Sequence, residues 1–347
     1  MTATSAALRP HVASAPLRLG RQAWKPVLVL TLVAAGLWTA THGVAGVAWT
    51  DVLAVLRDLQ VRQLALLGLI WLGGLTLYAT VLSTALPGLG VRRSLLLNLS
   101  GSAVANVFPL GGAVATGMNW RMVRAWGHSN LAFLTFCLLT NALDVASKLL
   151  LPVVAVAALA FFSVHVPLAL WCVAAACAAV LLVSGVVQAL TLGVRAGTVT
   201  TGAEQGRSGW RRFRAHVGQT VVGADRLLRQ HWGRLVPASI GYVAAQVVLL
   251  AMSLRVVGLH APLTVVLMAA AVERLGSLIP LTPAGAGFAE IGAIAWLVAN
   301  GLDPVEVVAG VLLYRIFLIV MEIPVGGVLL GSWVWLQRPR SRRSASA

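Results

Sequence analysis

The chain has 347 residues, of which 59% are hydrophobic and 10% are charged, and an excess of basic residues gives a net charge of +16. Soluble domains are typically about 45–50% apolar and about 25% charged. The composition therefore excludes an ordinary soluble enzyme and a disordered chain. A basic chain can bind nucleic acid, but with so few polar residues we expect no nucleic-acid partner. These figures indicate an integral membrane protein.

The sequence motifs of common enzyme classes are absent. The three cysteines lie in apolar runs without paired spacing, and no two of the seven histidines are four residues apart. There is no GxSxG elbow and no GxxxxGK[ST] phosphate loop in the sequence. We therefore predict that the protein is not an enzyme, with no catalytic residues, no metal site and no cofactor.

The N-terminal part predicts a basic tail, a membrane crossing and a short surface helix. Residues 1–25 contain four basic residues and no acid, and we expect them to form a cytoplasmic tail. The apolar run at about 26–48 is predicted to be a retained helix, because no small-residue cleavage site follows it as in a signal peptide. Residues 51–62 form a short amphipathic segment, and about 64–86 form the second crossing.

The next apolar stretch, at about 95–126, is interrupted in its middle. Pro109 and Gly111 break it, and basic residues stand on both sides, at Arg92 before the break and Arg121 after it. A single crossing would place these arginines on opposite sides of the membrane. We predict two half-helices that meet at a Pro/Gly tip, since broken backbone is tolerated in a membrane where it is buried in protein or lines a cavity.

The rest of the chain alternates apolar crossings with one basic loop and a second interrupted segment. Residues 26–336 are expected to form a single transmembrane domain, with repeat cores at about 95–163 and 262–336. Gly327 and Gly331 in the last crossing have the spacing of close helix packing. In chain order we predict crossings at about 129–163 and 167–193, a basic cytoplasmic loop at 194–234, a crossing at 235–257, an interrupted segment at 262–300, a crossing at 304–336 and a basic cytoplasmic tail at 337–347.

The basic residues predict the orientation. With both termini in the cytoplasm, 20 of the 26 basic residues lie on the cytoplasmic side. A uniform eight-crossing arrangement would instead leave Arg121 and Arg124 outside. The predicted fold is an all-α polytopic membrane protein with about six full crossings and two re-entrant half-helix hairpins, in a bacterial plasma membrane.

The two interrupted segments align when the chain is shifted by 174 residues. In the predicted topology the hairpins enter from opposite sides, which makes an inverted-topology repeat. Such repeats are common in secondary transporters, where interrupted helices mark a binding site near the midplane. The aligned residues are Pro109 with Pro283, Gly111 with Gly285, Ala115 with Ala289, and Gly127 with Gly301.

Charged residues inside the predicted crossings are candidate site residues, because each costs about 2.5–3.5 kcal/mol at a helix centre unless it finds a partner. Asp144 and Lys148 are four residues apart and are expected to pair. Glu290 is expected to meet Arg315 across the second hairpin, and Arg315 and Glu322 are spaced to share a helix face. The charged residues are Asp144, Lys148, Glu273, Arg274, Glu290, Arg315 and Glu322.

These charges have two interpretations. Arg274 and Arg315 can hold the phosphate of a lipid or polyprenyl headgroup, while Glu290 or Glu322 accepts a proton or binds a cationic group. Alternatively, the charges form a compensated network that only stabilises the fold. The candidate substrate-binding residues are Asp144, Lys148, Arg274, Pro283, Gly285, Gly287, Glu290, Arg315 and Glu322.

The second interrupted segment carries a family resemblance. Residues 279–290, with Gly301 and Arg315 downstream, resemble the P-x-x-P-G-G-x-G-x-x-E … G … L-x-x-R pattern of the lysylphosphatidylglycerol-synthase transmembrane family. This family comprises the flippase-like domains of bacterial multiple-peptide-resistance factors. Ala284 stands where a glycine is usual.

The first interrupted segment is similar to the same family at residues 106–112 and 120–127, so the resemblance extends over about 25–335. Residues 113–116 are neutral where many members carry an acid. The soluble synthase domain of bifunctional members is not expected, because only eleven residues follow Leu336.

The resemblance implies a protein that moves a lipid or amphiphile headgroup between leaflets. Its motif positions are Pro283, Gly285, Gly287, Glu290 and Arg315. The expected partners are membrane lipids with an anionic phospholipid or polyprenyl-phosphate headgroup. One alternative is a non-transporting membrane partner that organises a cell-envelope lipid or glycan enzyme. A third hypothesis is an intramembrane enzyme acting on a polyprenyl phosphate.

Overall fold

The computed structural model describes residues 46–107, 111–162, 166–198, 209–278 and 287–337. The predicted N-terminal tail, nearly all of the predicted first crossing, most of the two Pro/Gly tips and the C-terminal tail lie outside these residues. The helices are α1 (Trp49–Arg57), α2 (Val61–Ala85), α3 (Val91–Val107), α4 (Gly111–Ala125), α5 (Asn130–Phe161), α6 (Leu168–Thr198), α7 (Gly209–Val256), α8 (Leu263–Gly276), α9 (Phe288–Ala299), α10 (Pro304–Arg315), a π-helical turn (Ile316–Val320) and α11 (Glu322–Leu336).

The long apolar helices confirm an all-α, multi-pass membrane fold. Many of their large apolar side chains are exposed, for example Leu69, Leu182 and Val328, as expected where a helix faces lipid. The number of crossings stays a prediction, because the first lies almost wholly outside the described residues. The segments that are long and apolar enough to span a membrane are Val61–Ala85, Asn130–Phe161, Leu168–Val186, His216–Val256 and Pro304–Leu336.

The interrupted segments form two pairs of short helices. Helices α3 and α4 have 17 and 15 residues, and α8 and α9 have 14 and 12, below the roughly 20 residues that a crossing needs. Each pair is held in close backbone contact by a glycine. A Cβ at Gly111 would overlap the backbone of Ala105, and a Cβ at Gly276 would lie 2.7 Å from Cα of Ala289.

The 174-residue offset holds in the structure. Gly127 after α4 and Gly301 after α9 both have positive φ, at +90° and +82°, a conformation that favours glycine. Helix α5 then begins at Asn130 and α10 at Pro304, which are also 174 residues apart. The two halves therefore repeat the same sequence of half-helix, turn and long helix.

The two repeats interlock. Helix α11 of the second repeat packs along α3 of the first, and α5 of the first packs along α8 of the second. Helix α2 packs along α7, and most of the larger hydrophobic cluster lies where these helices meet. Each long helix thus supports the half-helix of the other repeat. The inverted orientation of the repeats relative to the membrane stays a prediction.

Two features of the single helices refine the predictions. Helix α7 is bent at His231, where φ is −123°, close to the predicted boundary between a basic helix and a crossing. The prediction that Gly327 and Gly331 mark close packing is wrong, because within the described residues nothing lies within 4 Å of a Cβ added at either. The close approach is at Gly326, where a Cβ would overlap the carbonyl of Leu99. Glycine spacing shows which residues share a helix face, but not which face meets a neighbour.

The caps of the equivalent helices α5 and α10 provide a test of the repeat. Ser129 Oγ accepts one N–H, from Ala132 at 3.1 Å, whereas Asp303 Oδ1 accepts two, at 2.9 and 3.1 Å. Ser129→Ala and Asp303→Ala should each lower the free energy of unfolding by about 0.5–2 kcal/mol. The larger loss is expected for Asp303, because its charge also faces the helix N-terminus.

Denaturant unfolding in micelles measures this difference. Ser332→Ala is the control, since the Ser332 hydroxyl donates only to Leu329 O in its own helix and its loss should change little. A loss at Ser332 as large as at Asp303 would contradict the capping assignment.

Candidate functional site

One buried arginine lies between two buried glutamates at the second interrupted segment. Arg315 is 7% exposed, and Glu273 and Glu290 are each 4% exposed. Arg315 Nη1 lies 3.1 Å from Glu273 Oε1, and Arg315 Nε lies 2.9 Å from Glu290 Oε1. We call these three residues the arginine triad. Its two acids and one base give it one excess negative charge when all three are ionised.

Local structure brings the triad together. Glu273 is in the last turn of α8, Glu290 in the first turn of α9, and Arg315 is the last residue of α10. Glu290 Oε2 also accepts the backbone N–H of Gly287 at 2.7 Å, and Gly287 has a φ of +94° that favours glycine. The Glu290 carboxylate therefore caps its own helix, where the helix dipole favours a negative charge. The N-terminus of α9 is already occupied by this carboxylate.

The Arg315 guanidinium keeps unused hydrogen-bonding capacity. Its Nη2 and Nε atoms are buried and make no hydrogen bond with good geometry to the described residues. The 2.9 Å contact from Nε to Glu290 is thus a close charge pair without hydrogen-bond alignment. A buried donor without an acceptor is unfavourable, so the group suits an additional acceptor such as a headgroup oxygen.

A second cluster lies where α5 meets α8, and we call Asp144, Lys148 and Arg274 the basic cluster. Lys148 Nζ lies 2.8 Å from Asp144 Oδ2, as the four-residue spacing predicts, and Arg274 Nη1 lies 3.7 Å from Asp144 Oδ1. Arg274 also donates to Gln246 Oε1 and lies with Cζ 5.8 Å from the centroid of the Tyr242 ring. Two bases and one acid give this cluster one excess positive charge.

The two clusters form one array across the repeats. Glu273 of the triad and Arg274 of the basic cluster are neighbours in α8 of the second repeat, whereas Asp144 and Lys148 belong to α5 of the first. Charges of opposite excess therefore lie side by side at the contact between repeats.

Glu322 lies apart from Arg315, contrary to the prediction that the two share a face. The π-helical turn Ile316–Val320 separates them, and each extra residue in such a turn shifts the following side chains by about 100°. Glu322 is 9% exposed and interacts with the Ser102 hydroxyl of α3. Among the described residues no basic side chain pairs with it.

The remaining sequence-predicted residues differ in whether the structure describes them. Gly287 is next to Glu290, whereas Pro283 and Gly285 lie outside the described residues. In the described part of the chain, no three His, Cys, Asp or Glu side chains are grouped to hold a metal ion.

Sequence reasoning missed Gln246 and Tyr242. Gln246 is an isolated polar residue in the apolar run 243–251, and tyrosine occurs only three times in the chain. All three tyrosines lie at the array: Tyr78 stacks on Tyr242 with ring centroids 4.7 Å apart, and Tyr314 precedes Arg315. Both residues could have been found from the sequence as rare polar side chains within apolar helices.

The chain matches a known protein family over most of its length. The family model described as lysylphosphatidylglycerol synthase TM region matches residues 26–326, which include both interrupted segments, the arginine triad and the basic cluster. No curated protein matches the chain. Because the matched region covers most of the chain, the protein belongs to the family of lysylphosphatidylglycerol synthase TM regions.

Proposed function

We propose that the protein moves a lipid or amphiphile headgroup between the leaflets of a bacterial plasma membrane, with both termini in the cytoplasm. The observation that carries this proposal is the joined array of charges at the contact between the two repeats, in which the arginine triad and Arg274 are buried and Asp144 and Lys148 are partly exposed. Charges inside a membrane are costly, and their retention is typical of substrate and ion pathways. Membership of a family associated with flippase-like function supports the same conclusion.

The charge distribution suggests a division of roles. Arg274 and Lys148 have the excess positive charge to hold a headgroup phosphate, with Arg274 forming the directional hydrogen bonds. Glu290 has the excess negative charge to accept a proton or a cationic group when Arg315 moves away. Glu322, close to Ser102 and without a basic partner among the described residues, is a further proton acceptor.

Movement between the repeats then changes access to the site. Asp144 and Arg274 stand on helices of different repeats at 3.7 Å, so a small displacement of α5 against α8 breaks or tightens this pair. Proteins with repeats of this kind rock one repeat against the other around a fixed site. We expect the Asp144–Arg274 contact to be formed in one state and replaced by substrate contacts in the other.

Glu290→Gln tests the transport role. The glutamine keeps an acceptor for the Gly287 N–H but removes the charge that faces Arg315, so we expect at least a tenfold slower headgroup movement, equal to about 1.4 kcal/mol of barrier. The measurement follows lipids with labelled headgroups between leaflets of proteoliposomes that contain the purified protein.

Glu306→Gln is the matched control. Glu306 is the third residue of α10, as Glu290 is of α9, but it takes no part in the array. Equal rates for the wild type and Glu290→Gln would refute the site. No headgroup movement by the wild type, with a co-purified envelope enzyme that is lost when residues 200–232 are deleted, would support the organising role instead.

A further inference from the structure

A cavity of about 300 Å³ lies in the first repeat, between α2, α3, α4 and α5. Its volume reaches the lower end of the range for small-molecule sites. Three aromatic side chains, Tyr78, Phe133 and Phe136, contribute to its wall. Its polar lining consists of Asn98, Ser102, Thr116, Asn119, Thr140 and Asn141, with Asp144 at one end.

The repeat relates this cavity to the arginine triad. The 174-residue offset pairs Thr116 with Glu290 and Asn141 with Arg315. In the second repeat these positions hold a buried ion pair, whereas in the first they hold neutral side chains that border open space. Equivalent positions of the two repeats therefore differ: an ion pair fills the space in the second repeat, whereas neutral side chains leave a cavity in the first.

The cavity presents no free charge. Its single carboxylate among the described lining residues, Asp144, is already held by Lys148 at 2.8 Å and faces Arg274 at 3.7 Å. No lysine or arginine is among the described residues that line it. A charged group placed in the cavity would have no counter-ion there, so the lining favours an uncharged ligand.

Several donors of the lining are already used within their own helices. Thr116, Thr140 and Asn141 all donate to carbonyls of their own helices, at 2.7–2.9 Å. Their oxygen atoms keep lone pairs for further hydrogen bonds. Such a lining suits a ligand that brings hydroxyl donors.

Asn119 contributes an amide to the same wall, with its oxygen packed toward Gly101 of α3. Its Oδ1 atom is buried and has no hydrogen-bond partner in the described part of the chain. The amide fits beside Gly101, where a Cβ would lie 2.9 Å from Asn119 Nδ2.

We infer that the cavity binds an uncharged, polyhydroxylated headgroup, namely the sugar of a glycolipid. Hydroxyl groups donate to the amide and hydroxyl oxygens, and the aromatic side chains cover the apolar face of a sugar ring. The inference rests on the proposed function and names the substrate class. The basic cluster at the Asp144 end holds a phosphate when the lipid has one.

Lipid retention measured by native mass spectrometry tests the inference. The protein, in a detergent without a sugar headgroup, is mixed with equal amounts of glucosyl-diacylglycerol and diacylglycerol of identical acyl chains, because the basic cluster is expected to hold any lipid that carries a phosphate. We expect the wild type to retain the glucosyl lipid about three- to tenfold better, the contribution of one or two neutral hydrogen bonds. Asn119→Leu should lose this preference, and the control Asn300→Leu, far along the chain in the second repeat, should keep it.

Equal retention of the two lipids by the wild type, or an undiminished preference in Asn119→Leu, would overturn the inference. Displacement of the glucosyl lipid by free glucose would make a soluble sugar the ligand and overturn the lipid assignment. Failure of transport with the sugar preference intact would refute only the proposed function. Transport without any sugar preference would refute only the cavity assignment.

A pair of substitutions taken from the second repeat gives a sharper test. Thr116→Glu combined with Asn141→Arg places the Glu290–Arg315 pair in the first repeat, and we expect a folded protein that no longer prefers the glucosyl lipid. Asn141→Arg alone adds a cation without the glutamate of the second repeat, which should raise the retention of phosphatidic acid above that of the wild type. An unchanged sugar preference in the folded double variant would contradict the inference. If the double variant does not fold, the lipid preference of Asn119→Leu provides the test instead.

Discussion

Arg315→Met is expected to lower the free energy of unfolding by about 3–5 kcal/mol, because it leaves two buried carboxylates without their counter-charge. Glu273 and Glu290 are each 4% exposed and lie within 3.1 Å of the guanidinium. Methionine keeps much of the side-chain volume, so the loss of stability arises mainly from the missing charge and only slightly from lost packing. Denaturant unfolding of the purified protein in micelles gives the difference.

Arg229→Met is the matched control. Arg229 Nε also lies 2.8 Å from a carboxylate, that of Asp225, but its side chain is 75% exposed. Solvent screens such a pair, so its removal should cost less than about 1 kcal/mol. Losses of the same size at both positions would show that the Arg315 effect is not due to a buried charge.

Two further substitutions separate stability from function. Adding Glu273→Gln and Glu290→Gln to Arg315→Met removes all three charges of the triad. Replacing a whole buried ion-pair network by neutral groups is often neutral or stabilising, so the triple variant should regain most of the lost stability. We expect it to remain inactive in headgroup movement. A stable triple variant that moves headgroups at the wild-type rate would show that the triad only supports the fold.

The pairs that follow from local geometry were predictable from the sequence. Helical periodicity was enough to pair Asp144 with Lys148, and the return of the chain after the second hairpin was enough to bring Arg315 to Glu290. The contact of Glu273 with Arg315 was not predicted, because it depends on how α8 packs against α10. The separation of Arg315 from Glu322 was missed, since a π-helical turn leaves no clear pattern in side-chain type.

Some features of the fold were likewise predictable from the sequence, and others were not. The 174-residue offset predicted equivalent half-helices and equivalent turns at Gly127 and Gly301, since prolines and glycines mark backbone geometry directly. The interlocking of α11 with α3 was not predictable, because it depends on the shapes of two distant helix surfaces. The cavity was missed for a related reason: neutral residues such as Thr116 and Asn141 stand out only when the repeat aligns them with charged ones.

Gly326→Ala and Gly327→Ala are expected to change stability in opposite directions, although the residues are adjacent in α11. A Cβ at Gly326 would overlap the carbonyl of Leu99 and lie 2.8 Å from Cβ of Ala103, both in α3. Forcing this group into the contact should cost about 1–3 kcal/mol or more. Within the described residues no atom lies within 4 Å of a Cβ at Gly327, so alanine there should stabilise the helix by up to about 1 kcal/mol.

Unfolding curves of both variants in the same detergent measure the two stability changes. Because α11 and α3 belong to different repeats, the pair also tests whether their close contact is needed for transport. If the repeats rock against each other around the charge array, Gly326→Ala should slow headgroup movement by more than its stability loss explains, while Gly327→Ala should not. Equal stability changes in the two variants would contradict the assigned packing of α11 on α3, and normal transport by Gly326→Ala would show that this contact is not on the path of movement.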